Sequence, residues 1–259
     1  MNKPLKVQIT KPRFSKMYMG IWGVNHLYRN NPLVAAWWSA ALPGFGHMSM
    51  GMYLKGAIFL TGEILMNFFG KINLALFYTF NLQWDKVHEV INYDYALVYA
   101  SIWVYSIWDS YRLAVEVNKL EWLESKQNVR HFEHDVIRSI DMNFLDKRNP
   151  WVGLAWSCAF TGLGHVYCHK LLFGFILTSW AFIISLNTHL PTIIIYTFIG
   201  QVENIPQLVN YQWLLFFPSV YLFGVYHGYN SVIVHNQVFK EEQAYFLRVN
   251  FGSNKLDII

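Results

Sequence analysis

Apolar residues in this chain gather into blocks separated by polar stretches. The blocks at 33–42, 52–69 and 95–117 are answered by blocks at 151–160, 171–187 and 211–234. Crossing a bilayer takes about 20 apolar residues in a helix. The second and third block of each set meet that length with polar punctuation, whereas the first is short and reads as a helix that dips in without spanning. A weaker segment, 72–83 or 190–201, follows each second block and is also too short to span. Over 119–148, spaced Leu, Val, Ile and Phe alternate with charged residues. That pattern predicts an amphipathic helix lying on the membrane or on a partner.

The two sets are copies. Asn31-Pro32 recurs as Asn149-Pro150, Trp38-Ser39 as Trp156-Ser157, Tyr78-Thr79-Phe80 as Tyr196-Thr197-Phe198, and Asn118 as Asn236, each at an offset of 118. No gap is needed between 31–119 and 149–237, which is the signature of a tandem duplication. Weaker matches upstream (Phe14 with Phe132, Asn25 with Asn143) give each unit a related polar lead-in. The predicted organisation is a basic lead-in over 1–30, unit one over 31–118, a linker over 119–148, unit two over 149–236 and a tail over 237–259.

Composition agrees with a membrane environment. Hydrophobic residues make up 54% and charged residues 14%, against about 25% charged in an average soluble protein. Aromatics reach 18%, and Trp and Tyr favour the membrane–water interface. A net charge of +4 is too mild to suggest nucleic acid. Cys158 and Cys168 read as buried free thiols. Lys and Arg collect in the lead-in, linker and tail, while 188–210 has neither. The positive-inside rule then places all three segments in the cytoplasm, which requires an even number of crossings per unit. The fold class expected is an all-α, polytopic helical protein of the cell membrane, each unit having two full transmembrane helices and one short dipping helix. Three crossings per unit would instead make the units inverted, as in many transporters.

The most distinctive local motif is Pro43-Gly44-Phe45-Gly46-His47, followed by Gly51 and Gly56. Unit two has Gly162, Gly164, His165 and Gly174 at the matching places, with Thr161 for Pro43. Proline ends a helix, glycines let backbones turn and approach, and the histidine would bond carbonyls freed at the turn. On these residues each unit resembles bacterial two-transmembrane-helix hairpin domains with a PGxGxxYxGxxxxG-like turn. Unit one has Ser49 where the Tyr belongs; unit two keeps Tyr167 but has His169 for the next Gly. The resemblance covers about 40 residues per unit. It implies a hairpin fold and carries no common enzymatic activity.

Ionisable residues within apolar blocks are costly in a bilayer and mark functional candidates. Glu63 lies in the second block with no obvious local partner, and Ala181 occupies its place in unit two. Asp109 is three residues before Arg112, on one helical face, and its counterpart is His227. A site between the units would gather Glu63, Asp109, His47, His165 and His227 as a proton or cation pathway. The alternative is that Asp109–Arg112 is a structural pair and the histidines brace the hairpins. His165, Cys168 and His169 fall within one turn but lack a fourth metal ligand, and no catalytic or cofactor motif is present, so no metal, cofactor or catalytic residue is assigned. Three functions follow: a non-enzymatic protein that organises membrane partners or its own oligomer, a small transporter or proton pathway, and a membrane enzyme acting on lipid. The expected partners are the bilayer itself and a membrane protein or a second copy.

Overall fold

A computed structural model describes residues 12–20, 22–133, 135–137 and 142–252, and helix dominates it. Lys3, Lys6, Lys11, His134, Arg138 and Lys255 fall outside the described residues. The lead-in forms a hairpin, β1 (Met17–Gly20) and β2 (Gly23–His26), paired antiparallel with Met17 opposite His26. Then come α1 (Pro32–Ala41), α2 (Phe45–Ser49), α3 (Tyr53–Gly70), α4 (Ile72–Phe80), α5 (Trp84–Val90) and α6 (Tyr93–Ser125). A second hairpin, β3 (Asp135–Ile137) and β4 (Met142–Phe144), precedes α7 (Pro150–Ala159), α8 (Leu163–Tyr167), α9 (Leu171–Thr188) and α10 (Leu190–Phe198). The chain closes with α11 (Ile205–Leu208), α12 (Tyr211–Leu214) and α13 (Phe217–Phe251).

The start of α1 is written in its cap. The Asn31 side chain accepts from Leu33 N, and Pro32 fills the first turn, where a missing N–H costs nothing. Asn149 and Pro150 do the same for α7. Both helices end in an extended residue, Leu42 or Phe160. Pro43 therefore does not cause the break, since Thr161 follows an identical one. What the two turns share is Gly44 (φ 98°) and Gly162 (φ 104°), a left-handed conformation that L side chains avoid. Each also packs on a second glycine of the next long helix, Gly56 or Gly174, at a separation that leaves no room for a Cβ. At the next turn Gly51 (φ 84°) is matched by His169 (φ 54°), so this second bend tolerates a side chain.

One apolar core crosses between the units. Leu42, Phe45, Met48, Leu60 and Ile64 from unit one meet Phe173, Leu177, Ile184, Val220 and Phe223 from unit two. Phe45 stacks on Phe223 with ring centroids 4.2 Å apart. A smaller core of Met17, Met19, Val24, Phe132 and Val238 ties the lead-in, the linker and α13 together.

One expectation fails in the linker. Instead of an amphipathic helix along 119–148, α6 runs on to Ser125, an irregular segment follows, and then β3 and β4 pair. Of the apolar positions there, Phe132 and Leu145 pack instead in the small core shared with the first hairpin and α13. The strands also add two small sheets to an otherwise helical fold. Cys168 is buried as expected, but Cys158 is exposed.

Among the described residues, α9 is the one helix long and apolar enough to cross a membrane by length and composition. The segments Val202–Leu208 and Tyr211–Phe251 pass the same test only together, and they are bent by 91°. Lys55 and Glu63 in α3, and the polar content of α6, dilute the apolar character of those helices.

Candidate functional site

The predicted polar residues do not converge; they fall into separate buried clusters. In the first, His47 Nε2 lies 2.9 Å from Asp109 Oδ2, and Arg112 donates to Asp109 Oδ1 at 2.7 Å. Lys55 also pairs with Asp109. The Asp109 carboxylate has no exposure, while Lys55 and Arg112 are 39% and 41% exposed, so their charged heads reach outward from a buried anion. α1 and α6 hold the geometry: Trp103 Nε1 donates to Ala40 O, and Gly44 N donates to Ser106 Oγ. The expected Asp109–Arg112 pair is present. The expected histidine–carbonyl brace is not, because His47 points its Nε2 at the carboxylate and leaves Nδ1 without a partner.

The second cluster repeats this layout with different chemistry. His165 Nε2 lies 2.8 Å from His227 Nδ1, and the two rings stack. His227 Nε2 is 3.3 Å from the carbonyl oxygen of Ser49, across the unit boundary. A carbonyl can only accept, so His227 carries its proton on Nε2 and accepts at Nδ1 from His165. As neutral imidazoles the two rings form a directed chain from His165 through His227 to the Ser49 carbonyl. Lys170 Nζ donates to Ser231 Oγ at 3.1 Å beside them.

Glu63 belongs to a third cluster and does have a local partner: Asn67 Nδ2 donates to Glu63 Oε1 at 3.2 Å. Asn67 bonds in turn to Asn73, and Gln212 Nε2 donates to Asn67 Oδ1 at 2.9 Å and to Asn67 O at 3.0 Å. Gln212 Oε1 accepts from Leu74 N at 2.8 Å. This network sews α3 and α4 of unit one to α12 of unit two. Glu63 is 2% exposed and its Oε2 has no partner. Asn67, Asn73 and Gln212 escaped the sequence reading. Their unit-two or unit-one counterparts are Ser185, Pro191 and Asp94, so divergence at polar positions inside apolar blocks was the available signal.

At the other end of the bundle a charged cluster joins the lead-in, linker and tail. Lys16, itself buried, lies 3.4 Å from Glu121 and 3.2 Å from Glu241. Arg130 grips Glu124 through two nitrogens at 2.8 and 2.7 Å and also reaches Glu241. Its hydrogen bonds to those two carboxylates outweigh the effect of burial and raise its pKa further. Nearby, His26 in β2 stacks edge-on against His235, and both its ring nitrogens are buried without a partner. Burial, then the charge of Lys170, holds the His26 pKa well below its ordinary value, so it is neutral.

A polar cavity of about 260 Å³ lies between α1 and α13, with Tyr28, Asn30, Ser49, Tyr226 and His227 among its walls. Among the described residues, no three His, Cys, Asp or Glu side chains converge to hold a metal ion. No family model, no curated protein and no solved structure matches this chain.

Proposed function

We propose that the chain is a non-enzymatic, multi-pass protein of the cell membrane that organises partners or its own oligomer within the bilayer. It is read as two tandem units over 31–118 and 149–236, each with two full crossings and a short dipping helix, as in the bacterial hairpin domains that the glycine turn resembles. One observation carries this reading: Glu63, Asp109, His47, His165 and His227 are buried, while large apolar and aromatic side chains lie on the outward faces of the long helices. Leu54, Ile58, Phe69, Leu97, Val104 and Trp108 all lie exposed on α3 and α6, and Phe175, Phe182 and Leu186 on α9. In water such a surface would be an aggregation hazard; in lipid it is the ordinary solvent-facing side.

The charged cluster supports the topology. Lys16 N donates to His131 O, and Arg13 N and Phe14 N donate to Gln127, so the lead-in meets the linker at one end of the bundle. Glu241 of α13 joins them there. A unit that starts and finishes at the same end crosses an even number of times, and the basic charge assigns that end to the cytoplasm.

A second reading is favoured by Glu63, an intramembrane carboxyl with one oxygen unpartnered at the boundary between units: a proton pathway. Reconstitution into proteoliposomes containing a pH-sensitive dye separates the two. The organiser reading expects no proton flux above protein-free vesicles. A flux that Glu63→Gln abolishes would replace it with the proton pathway.

A further inference from the structure

A cleft of about 640 Å³ opens where the chain enters α7, lined by Lys147, Arg148, Asn149, Asn236, Gln237 and Lys240. Among the described residues no carboxylate lines it. Arg148 is already committed, donating to Asp146 at 2.7 Å and to Tyr167 O at 2.7 Å, and it is 8% exposed. Lys147 and Lys240 are both exposed and form no ion pair among the described residues. The cleft therefore holds a buried guanidinium, already paired with Asp146, behind two exposed ammonium groups that no carboxylate among the described residues neutralises.

The smaller cavity stands across α13 and shares Ile233 and Gln237 with this cleft. It has Arg29 at the position matching Lys147, and no carboxylate among the described residues lines it either. Acid-free basic walls thus recur at the entry to the first helix of both units. The wall is also apolar on one side, through Ile233 and Pro150. An anion with an apolar attachment matches that mixture, and a tetrahedral phosphate oxygen set suits two ammonium donors that approach from separate chain segments.

We propose that this cleft binds a phosphate ester, held by Lys147 and Lys240 at its mouth. The ester is either the headgroup of an anionic phospholipid or a soluble phosphate ester. The lipid source rests on the membrane reading above; the soluble one does not.

Purified protein is titrated with short-chain phosphatidylglycerol and with phosphatidylcholine, and bound lipid is counted by native mass spectrometry. Glycerol 3-phosphate serves as the soluble probe and competitor. Near a membrane surface each Lys–phosphate contact is worth about fivefold, so Lys147→Gln with Lys240→Gln weakens phosphatidylglycerol binding roughly thirtyfold. Lys119→Gln with Lys126→Gln, also cationic and exposed but outside the cleft, is the control and stays within about twofold. Competition by glycerol 3-phosphate identifies a soluble ester as the occupant; its absence, with phosphatidylglycerol retained over phosphatidylcholine, identifies the lipid. The proposal is overturned if the cleft variant binds both probes as tightly as the parent, or if the control loses as much. Binding of glycerol 3-phosphate by a protein that fails to enter bilayers would sink the membrane reading and leave the phosphate site standing.

Discussion

Gly56 and Gly62 lie six residues apart on α3 and offer a matched test of what holds the hairpin together. A Cβ on Gly56 would sit 2.7 Å from the carbonyl oxygen of Gly44 and would overlap Met48 Cγ. The Met48 side chain can swing away. The Gly44 oxygen cannot, because Gly44 is pinned at φ 98° and its N–H is bonded to Ser106 Oγ. A Cβ on Gly62 finds only Ile102 Cδ1, at 4.0 Å. Replacing Gly by Ala inside a helix gains about 1 kcal/mol of propensity at either position. Overpacking against immobile backbone costs about 1–3 kcal/mol, with the upper part of that range expected here. Gly56→Ala should thus lose about 1–2 kcal/mol while Gly62→Ala gains up to about 1 kcal/mol. For a chain of this size that difference separates the two melting temperatures by about 4–12 °C. Thermal unfolding of the purified variants in one detergent, followed by circular dichroism, measures it. If both variants shift together, or if Gly56→Ala melts at or above the parent, close approach of α2 and α3 is not what the glycine serves.

Three further outcomes are expected. Asn118 and Asn30 exchange two hydrogen bonds of 2.7 Å, and Asn236 repeats the clamp on Arg148 at 2.8 and 2.7 Å. Asn118→Ala and Asn236→Ala should each cost about 1–2 kcal/mol and match one another, read by the same thermal assay; a silent variant would show that the clamps are incidental. Asp109→Ala strips the anion from His47, Lys55 and Arg112, but the two cations can turn to water. The loss should stay near 1–3 kcal/mol, below the 3–5 typical of a fully buried pair, and a larger loss would mean the cations are trapped. His26 is neutral when folded, with its pKa held below the ordinary 6.5. As pH falls below 6.5 the unfolded imidazole takes up a proton that the folded one refuses, so stability drops toward acid. His26→Phe, which installs the residue that unit two carries as Phe144, should retain about 1–2 kcal/mol more than the parent between pH 6.5 and 5, and parallel pH profiles would refute the assignment.

Much of the local architecture was legible in the residues. Asn31-Pro32 and Asn149-Pro150 announce helix starts because a side-chain acceptor and a fixed φ do so anywhere. Gly44 and Gly162 announce turns because only glycine enters that conformation without strain. The long apolar blocks became α3, α6, α9 and α13, and the lead-in match of Asn25 with Asn143 falls within paired hairpins, at β2 and β4. The linker misled because alternating polarity over a short stretch fits a strand as well as a helix, and pairing with a neighbour decides between them. Tertiary structure alone decided the polar groups. Spacing put Asp109 near Arg112, but nothing in the sequence brings His47 from 62 residues away onto the same carboxylate, or carries His227 to the Ser49 carbonyl of the other unit. Glu63 was visible as a charge in an apolar block, yet its partners Asn67, Asn73 and Gln212 are set by how α12 docks on α3 and α4. The constant offset of 118 carries backbone geometry, because caps and turns are local. The clusters diverge because a buried polar group answers to whatever the packing places within 3 Å of it.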